Sequence, residues 1–153
     1  MNTIIKKITI LAFFFLLFSC TSNDVPDNSV ETIFLKAKID GADFSSDFPV
    51  LTQLTNTFAI SATTSDNQDF LQIYIADYTG PGTYTAGSTI NNENAFLYTN
   101  SGSWFANKDY ESGTVTINRN GNVLTGTFSF TAFNFSNSTT KTITDGSFKI
   151  ILP

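Results

Sequence analysis

Residues 113–134 read GTVTINRNGNVLTGTFSFTAFN. Val115 and Ile117 alternate with Thr and Asn, and Leu124, Phe128, Phe130 and Ala132 alternate with Thr and Ser. A period of two is the signature of strands with one buried face. Asn120-Gly121 lies between the two runs, and Asn-Gly is the strongest short-range hairpin signal. The stretch therefore predicts a β-hairpin with a long second strand over 122–134.

The same pattern extends in both directions. Upstream, Leu35, Ala37 and Ile39 share a face and Asp40-Gly41 turns the chain. Val50–Leu54 and Thr57–Thr63 form a second hairpin with Phe58, Ile60 and Ala62 inward, and Asp69–Tyr78 turns Leu71, Ile73 and Ile75 inward. Gly80-Pro81-Gly82 breaks that strand, and Thr83–Thr85 is a short extended piece. Residues 86–94 (AGSTINNEN) form the longest polar loop. Ala95–Tyr98 and Ser103–Asn107 pair around Asn100-Ser101-Gly102. Downstream, a strand over Lys141–Leu152 changes its inward parity between Ile143 and Phe148, which predicts a β-bulge at Asp145-Gly146. Nothing beyond residue 19 reads as a helix longer than a turn. Eight to ten short strands with Gly, Asn and Asp turns define an all-β fold, one antiparallel sandwich or flattened barrel.

The first nineteen residues read differently. Lys6 and Lys7 precede Ile8–Phe18, in which only Thr9 is polar. A spanning helix needs about 20 apolar residues, so this run reads as a signal peptide. Leu17-Phe18-Ser19-Cys20 resembles the bacterial lipoprotein lipobox. The chain is accordingly read as residues 1–19 leader, residues 20–31 a lipidated Cys20 and polar tether, and residues 32–153 the β-domain. The lipid on Cys20 would fix the protein to a membrane of the cell envelope, the outer membrane being the expected place. Two or more acyl chains hold a protein stably, at about 0.8 kcal/mol per buried methylene.

Cleavage before Cys20 removes Lys6 and Lys7 and leaves six basic against thirteen acidic residues, net −7. Nucleic acid is excluded as a partner, because counterion displacement needs clustered Lys or Arg. The chain has no histidine and one cysteine. The commonest general base, the usual nucleophilic triads and most zinc chemistry are thereby removed, and a non-enzyme is expected. No cofactor is expected. Twelve of the sixteen Phe lie beyond the leader, enough to build an apolar core without disulfides.

Five segments, FLKAKIDGADF (34–44), GTYT (82–85), SGTVTI (112–117), LTGTFSFTA (124–132) and TDGSF (144–148), occur in an order that resembles a family of small Bacteroidota lipoproteins of unknown function. The likeness spans about residues 33 to 150. It implies an envelope location and an all-β fold, and it carries no catalytic or binding residues.

Candidate sites are few. Tyr98, Trp104, Phe105 and Tyr110 lie around one hairpin and are the best candidates for exposed aromatics that would bind a glycan or an envelope protein. Trp104 and Phe105, being neighbours on a strand, must point to opposite faces. Core packing or cross-strand pairing is the preferred reading of these rings. Asn91, Asn92, Glu93 and Asn94, and also Asp66, Asn67 and Asp69, offer oxygens but read as solvated turns, and no metal site is expected. Asp109 and Glu111 read as surface charge and not as a glycosidase pair. Arg119 reads as a guard on a hairpin end. A second reading is a calycin-like barrel carrying a small apolar ligand, its cavity lined by Phe128, Phe130, Phe148 and Ile73.

Overall fold

The computed structural model describes residues 32–87, 94–107, 109 and 112–153. The leader, Cys20 and the tether lie outside the described residues. Eleven strands follow in chain order: β1 (Phe34–Ile39), β2 (Ala42–Ser46), β3 (Val50–Leu54), β4 (Thr57–Thr63), β5 (Phe70–Ile75), β6 (Gly82–Thr85), β7 (Ala95–Thr99), β8 (Ser103–Ala106), β9 (Gly113–Asn120), β10 (Val123–Asn134) and β11 (Thr139–Ile151). No helix occurs among the described residues.

All eleven strands belong to one antiparallel sheet, where the sequence suggested eight to ten and left a two-layer sandwich open. The main path runs β2-β1-β11-β10-β8-β7-β5-β4-β3. The long strand β10 makes the sheet fork. Its first eight residues pair with β9, which pairs in turn with β6. Its far end, at Phe133, pairs with Phe105 of β8.

Chain connectivity shows how strongly the sheet curls. The two ends of the main path, β2 and β3, are joined by only Asp47, Phe48 and Pro49. Four Cα steps reach at most about 15 Å. Nine flat strands at about 4.8 Å spacing would separate those ends by about 38 Å. The sheet therefore rolls into a half-barrel with its apolar face inward.

Alternation supplies that inner face. Leu35, Phe58, Ile60, Leu71, Ile73, Phe96, Val115, Ile117, Leu124, Ile143 and Phe148 are all buried to 1% exposure or less. The bulge forms where the parity change requires it: Ser129 of β10 faces the step between Ile143 and Gly146, and Asp145 takes φ +52°. Ile143 and Phe148 are thereby both inward.

Two local readings change. The β9–β10 turn is centred on Gly121-Asn122, because Asn120 pairs with Val123. Only the first central residue, Gly121 at φ +60°, is left-handed, which is the II′ pattern rather than I′. Strand β5 also stops at Ile75 instead of running to Tyr78, since Ile75 and Ala76 are both buried and end the alternation.

The end of β5 is held by Asn94, which was read as part of a solvated loop and is buried at 1% exposure. Its Oδ1 accepts the Ala76 N–H (3.1 Å), its Nδ2 donates to the Thr85 carbonyl (2.9 Å), and its own carbonyl accepts the Gly87 N–H (2.8 Å). One side chain thus ties the β5 arm of the fork to the β6 arm. Asn91, Asn92 and Glu93 lie outside the described residues.

Candidate functional site

The four aromatics singled out from the sequence do not form one exposed row. Tyr98 and Trp104 are cross-strand partners that both turn inward, and they are 5% and 8% exposed. Phe105 turns to the outer face, half-buried, as strand alternation demands. Tyr110 lies outside the described residues. The structure separates an inner pair from an outer cluster, both at the end of the half-barrel where β10 meets β11.

The inner pair is held by hydrogen bonds at both polar tips. The Tyr98 hydroxyl donates to Asp69 Oδ1 (2.6 Å), and Asn100 Nδ2 donates to the same oxygen. The Trp104 indole N–H donates to Thr139 Oγ1 (3.0 Å), and Thr139 donates on to Asn137 Oδ1 (2.7 Å). The two rings lie 5.8 Å apart at 36°. Lys141 sets its ammonium 5.6 Å from the centroid of the indole ring and donates to Asp40 Oδ2 (2.7 Å). Asp40 Oδ1 accepts the Thr142 N–H (2.8 Å). Residues from three strands, β7, β8 and β11, and from the β1–β2 turn thus meet at one mouth of the fold.

Electrostatics follow from this geometry. Burial, and then the hydrogen bond to the Asp69 carboxylate, push the Tyr98 phenol up to about 12. The Lys141 ammonium, followed by the Thr142 amide, holds the Asp40 carboxyl below the usual range. Tyr98, Asn100, Trp104, Thr139, Thr140 and Lys141 line an open hollow of about 500 Å³.

The outer cluster is apolar. Phe105 pairs with Phe133 on one side and Leu97 on the other, so three side chains form a row across β10, β8 and β7. Phe135, in the β10–β11 turn, stands over them with its ring centroid 6.4 Å from Phe105 and 5.4 Å, edge-on, from Phe133. Phe135 is 51% exposed. Phe133 and Phe135 went unnoticed as a surface pair because Phe133 follows a core alternation and Phe135 reads as turn. The signal was their odd parity against Phe128 and Phe130.

The other candidates resolve singly. Asp66 accepts from Thr64 Oγ1 (2.6 Å) inside its own turn, and Asn67 adopts φ +56° there. Asp69 is occupied by Tyr98 and Asn100. No group of three or more His, Cys, Asp or Glu converges as a metal site among the described residues. Asp109 is exposed in a turn where its N–H meets Asn107 Oδ1 (3.1 Å), and Glu111 lies outside the described residues. Arg119 donates to the Gly121 carbonyl (2.9 Å) and closes its hairpin. Phe128, Phe130, Phe148 and Ile73 are packed in the core, at 4%, 3%, 1% and 0% exposure. They fill the space that a carrier barrel would leave open.

The described residues form a curled antiparallel half-barrel around an apolar core. The chain belongs to the family described as Domain of unknown function (DUF6252), whose model matches residues 31–151. No curated protein and no solved structure matches the chain.

Proposed function

We propose that the protein is a lipid-anchored, non-catalytic binding module of the bacterial cell envelope, and that its partner is another envelope protein. The observation that carries this reading is the outer cluster of Phe105, Phe133, Phe135 and Leu97. Phe135 is exposed above half-buried Phe105, Phe133 and Leu97; a contiguous apolar patch on a sheet face is a mark of protein interaction, and aromatic anchors dominate interface energetics. Phe48, Val50 and Leu54 at edge strand β3 are also exposed, but buried Pro49 separates the first two and Thr52 the last two, and apolar residues exposed singly are ordinary.

Position supports the reading. The chain enters the domain at Phe34, which is level with Lys149 of β11 and, through it, Thr125 of β10. The outer cluster lies at the opposite ends of those strands. Lys141 lies eight steps along β11 from Lys149, about 26 Å of strand. The first strand of the domain therefore begins at one end, and the cluster occupies the other. Four side chains are also far fewer than the roughly 20–30 residues a side of a standard stable interface, which suits a transient contact. A transient heterologous contact centred on Phe135 fits the cluster's size.

The test is the double variant Phe105→Ser, Phe135→Ser in cells producing the full chain. Chemical cross-linking of wild type should give a discrete adduct with a second envelope protein, and the double variant should lose it with its melting temperature unchanged. An adduct that persists in the variant, or one that contains only two copies of this chain, refutes the reading.

A further inference from the structure

We infer that the hollow beside Trp104 is a second, independent binding site, and that it takes an uncharged, hydroxyl-rich ligand of one or two sugar rings. Its place and size suit a small ligand: binding sites favour the mouths of β-barrels, and a volume of about 500 Å³ falls within the usual range. Its charges select among ligand classes. One charged group lines it, Lys141, and two carboxylates stand behind the lining: Asp40, bonded to Lys141, and Asp69, bonded to Tyr98 and Asn100. An anion would meet one ammonium, already engaged by Asp40 at 2.7 Å, with two carboxylates behind the lining. A free amine would compete with Lys141, which already holds the position over the indole ring. A neutral ligand meets neither obstacle.

What remains matches vicinal hydroxyls. The Lys141–Asp40 pair places an ammonium donor and a carboxylate acceptor side by side at the rim. Asn100 adds an amide in the β7–β8 turn, and the small exposed parts of Tyr98 and Trp104, 5% and 8%, give an apolar strip beside Lys141 on which C–H groups can rest. The strip is preorganised: Asp69 and Thr139 fix both aromatic tips before any ligand arrives. The site shares no side chain with the outer cluster, so either can fail without the other.

Trp104 is the sole tryptophan of the chain, so its fluorescence reports on this hollow alone. The experiment titrates the folded protein with cellobiose, maltose and N,N′-diacetylchitobiose to about 10 mM, and in parallel with glucuronate and glucosamine. At least one neutral disaccharide should give a saturable change in emission. Lys141→Met and Asp40→Asn should each weaken that binding by at least about tenfold. Asp40→Asn keeps a residue that tolerates φ +50° at the turn, and melting temperatures check that both variants remain folded. No saturable response to any of the three sugars overturns the proposal. So does a tighter response to glucuronate or glucosamine, or undiminished binding in both folded variants.

Discussion

The ring of Phe148 lies over Gly126, its directly opposed partner across β10 and β11, and occupies the place where a Cβ on Gly126 would stand. Two residues away the relation is reversed: Phe128 covers Gly146. Phe130 likewise leaves no room for a side chain on Gly113 of β9. Two of these contacts, Phe148 on Gly126 and Phe128 on Gly146, set a ring against bare backbone in opposite senses, while Gly113 makes room for the Cβ and backbone of Phe130. None of the three glycines has a left-handed φ, so what they supply is space and not backbone freedom.

Gly126→Ala should therefore destabilise the domain by about 1–3 kcal/mol through overpacking. Pairing it with Phe148→Leu should cost less than the sum of the two single changes, because the smaller side chain vacates the contested volume. Urea denaturation of the four proteins measures this. Strict additivity would show that the ring and the glycine do not compete.

The bulge gives an opposite expectation. Asp145 holds φ +52°, where a β-branched residue is strained by about 1–2 kcal/mol. Asp145→Val should lower stability by roughly that amount and Asp145→Gly should leave it equal or higher, both read as shifts in denaturation midpoint.

Asn94 joins the two arms of the fork from a buried position. Asn94→Ala leaves the Ala76 N–H and the Thr85 carbonyl without this partner, at a cost of about 1–3 kcal/mol. Amide exchange of Ala76 should accelerate more than that of core amides in β10; a uniform change would contradict a local clamp.

Tyr98 makes the protein sensitive to alkali. The unfolded phenol ionises near 10 and the folded one near about 12. The folded state keeps a proton that the unfolded state loses, so this contribution is complete below pH 10 and declines as pH rises towards 12. Tyr98→Phe should show a shallower loss of stability across that window. An identical slope in both proteins would mean that another group governs it.

Much of this fold was readable from the chain. Val115, Ile117, Leu124, Phe128 and Phe130 gave the central hairpin by alternation, and Ile143 with Phe148 betrayed the bulge by parity. Alternation reports which side chains share a face, but not which face curls inward or where a long strand changes neighbours. The fork at β10 depends on Phe133 pairing with Phe105, a contact between residues 28 apart that no local pattern encodes. Asn94 was misread for the same reason: loop composition says polar, and only the meeting of β5 with β6 makes that amide a buried tie. Tyr98 and Trp104 stand among four aromatics of one hairpin for which core packing is the preferred reading, and the curvature of the sheet buries these two together.

The anchor and the partner surface are tested together by incorporating a photo-crosslinking phenylalanine analogue at position 135 in the full chain, in cells, beside a control at exposed Thr125. The account predicts a membrane-bound protein that forms one discrete hetero-adduct from position 135 and none from 125, and a Cys20→Ala form that leaves the membrane on alkaline washing. A chain that stays membrane-bound without Cys20, or equal labelling from both positions, would contradict it.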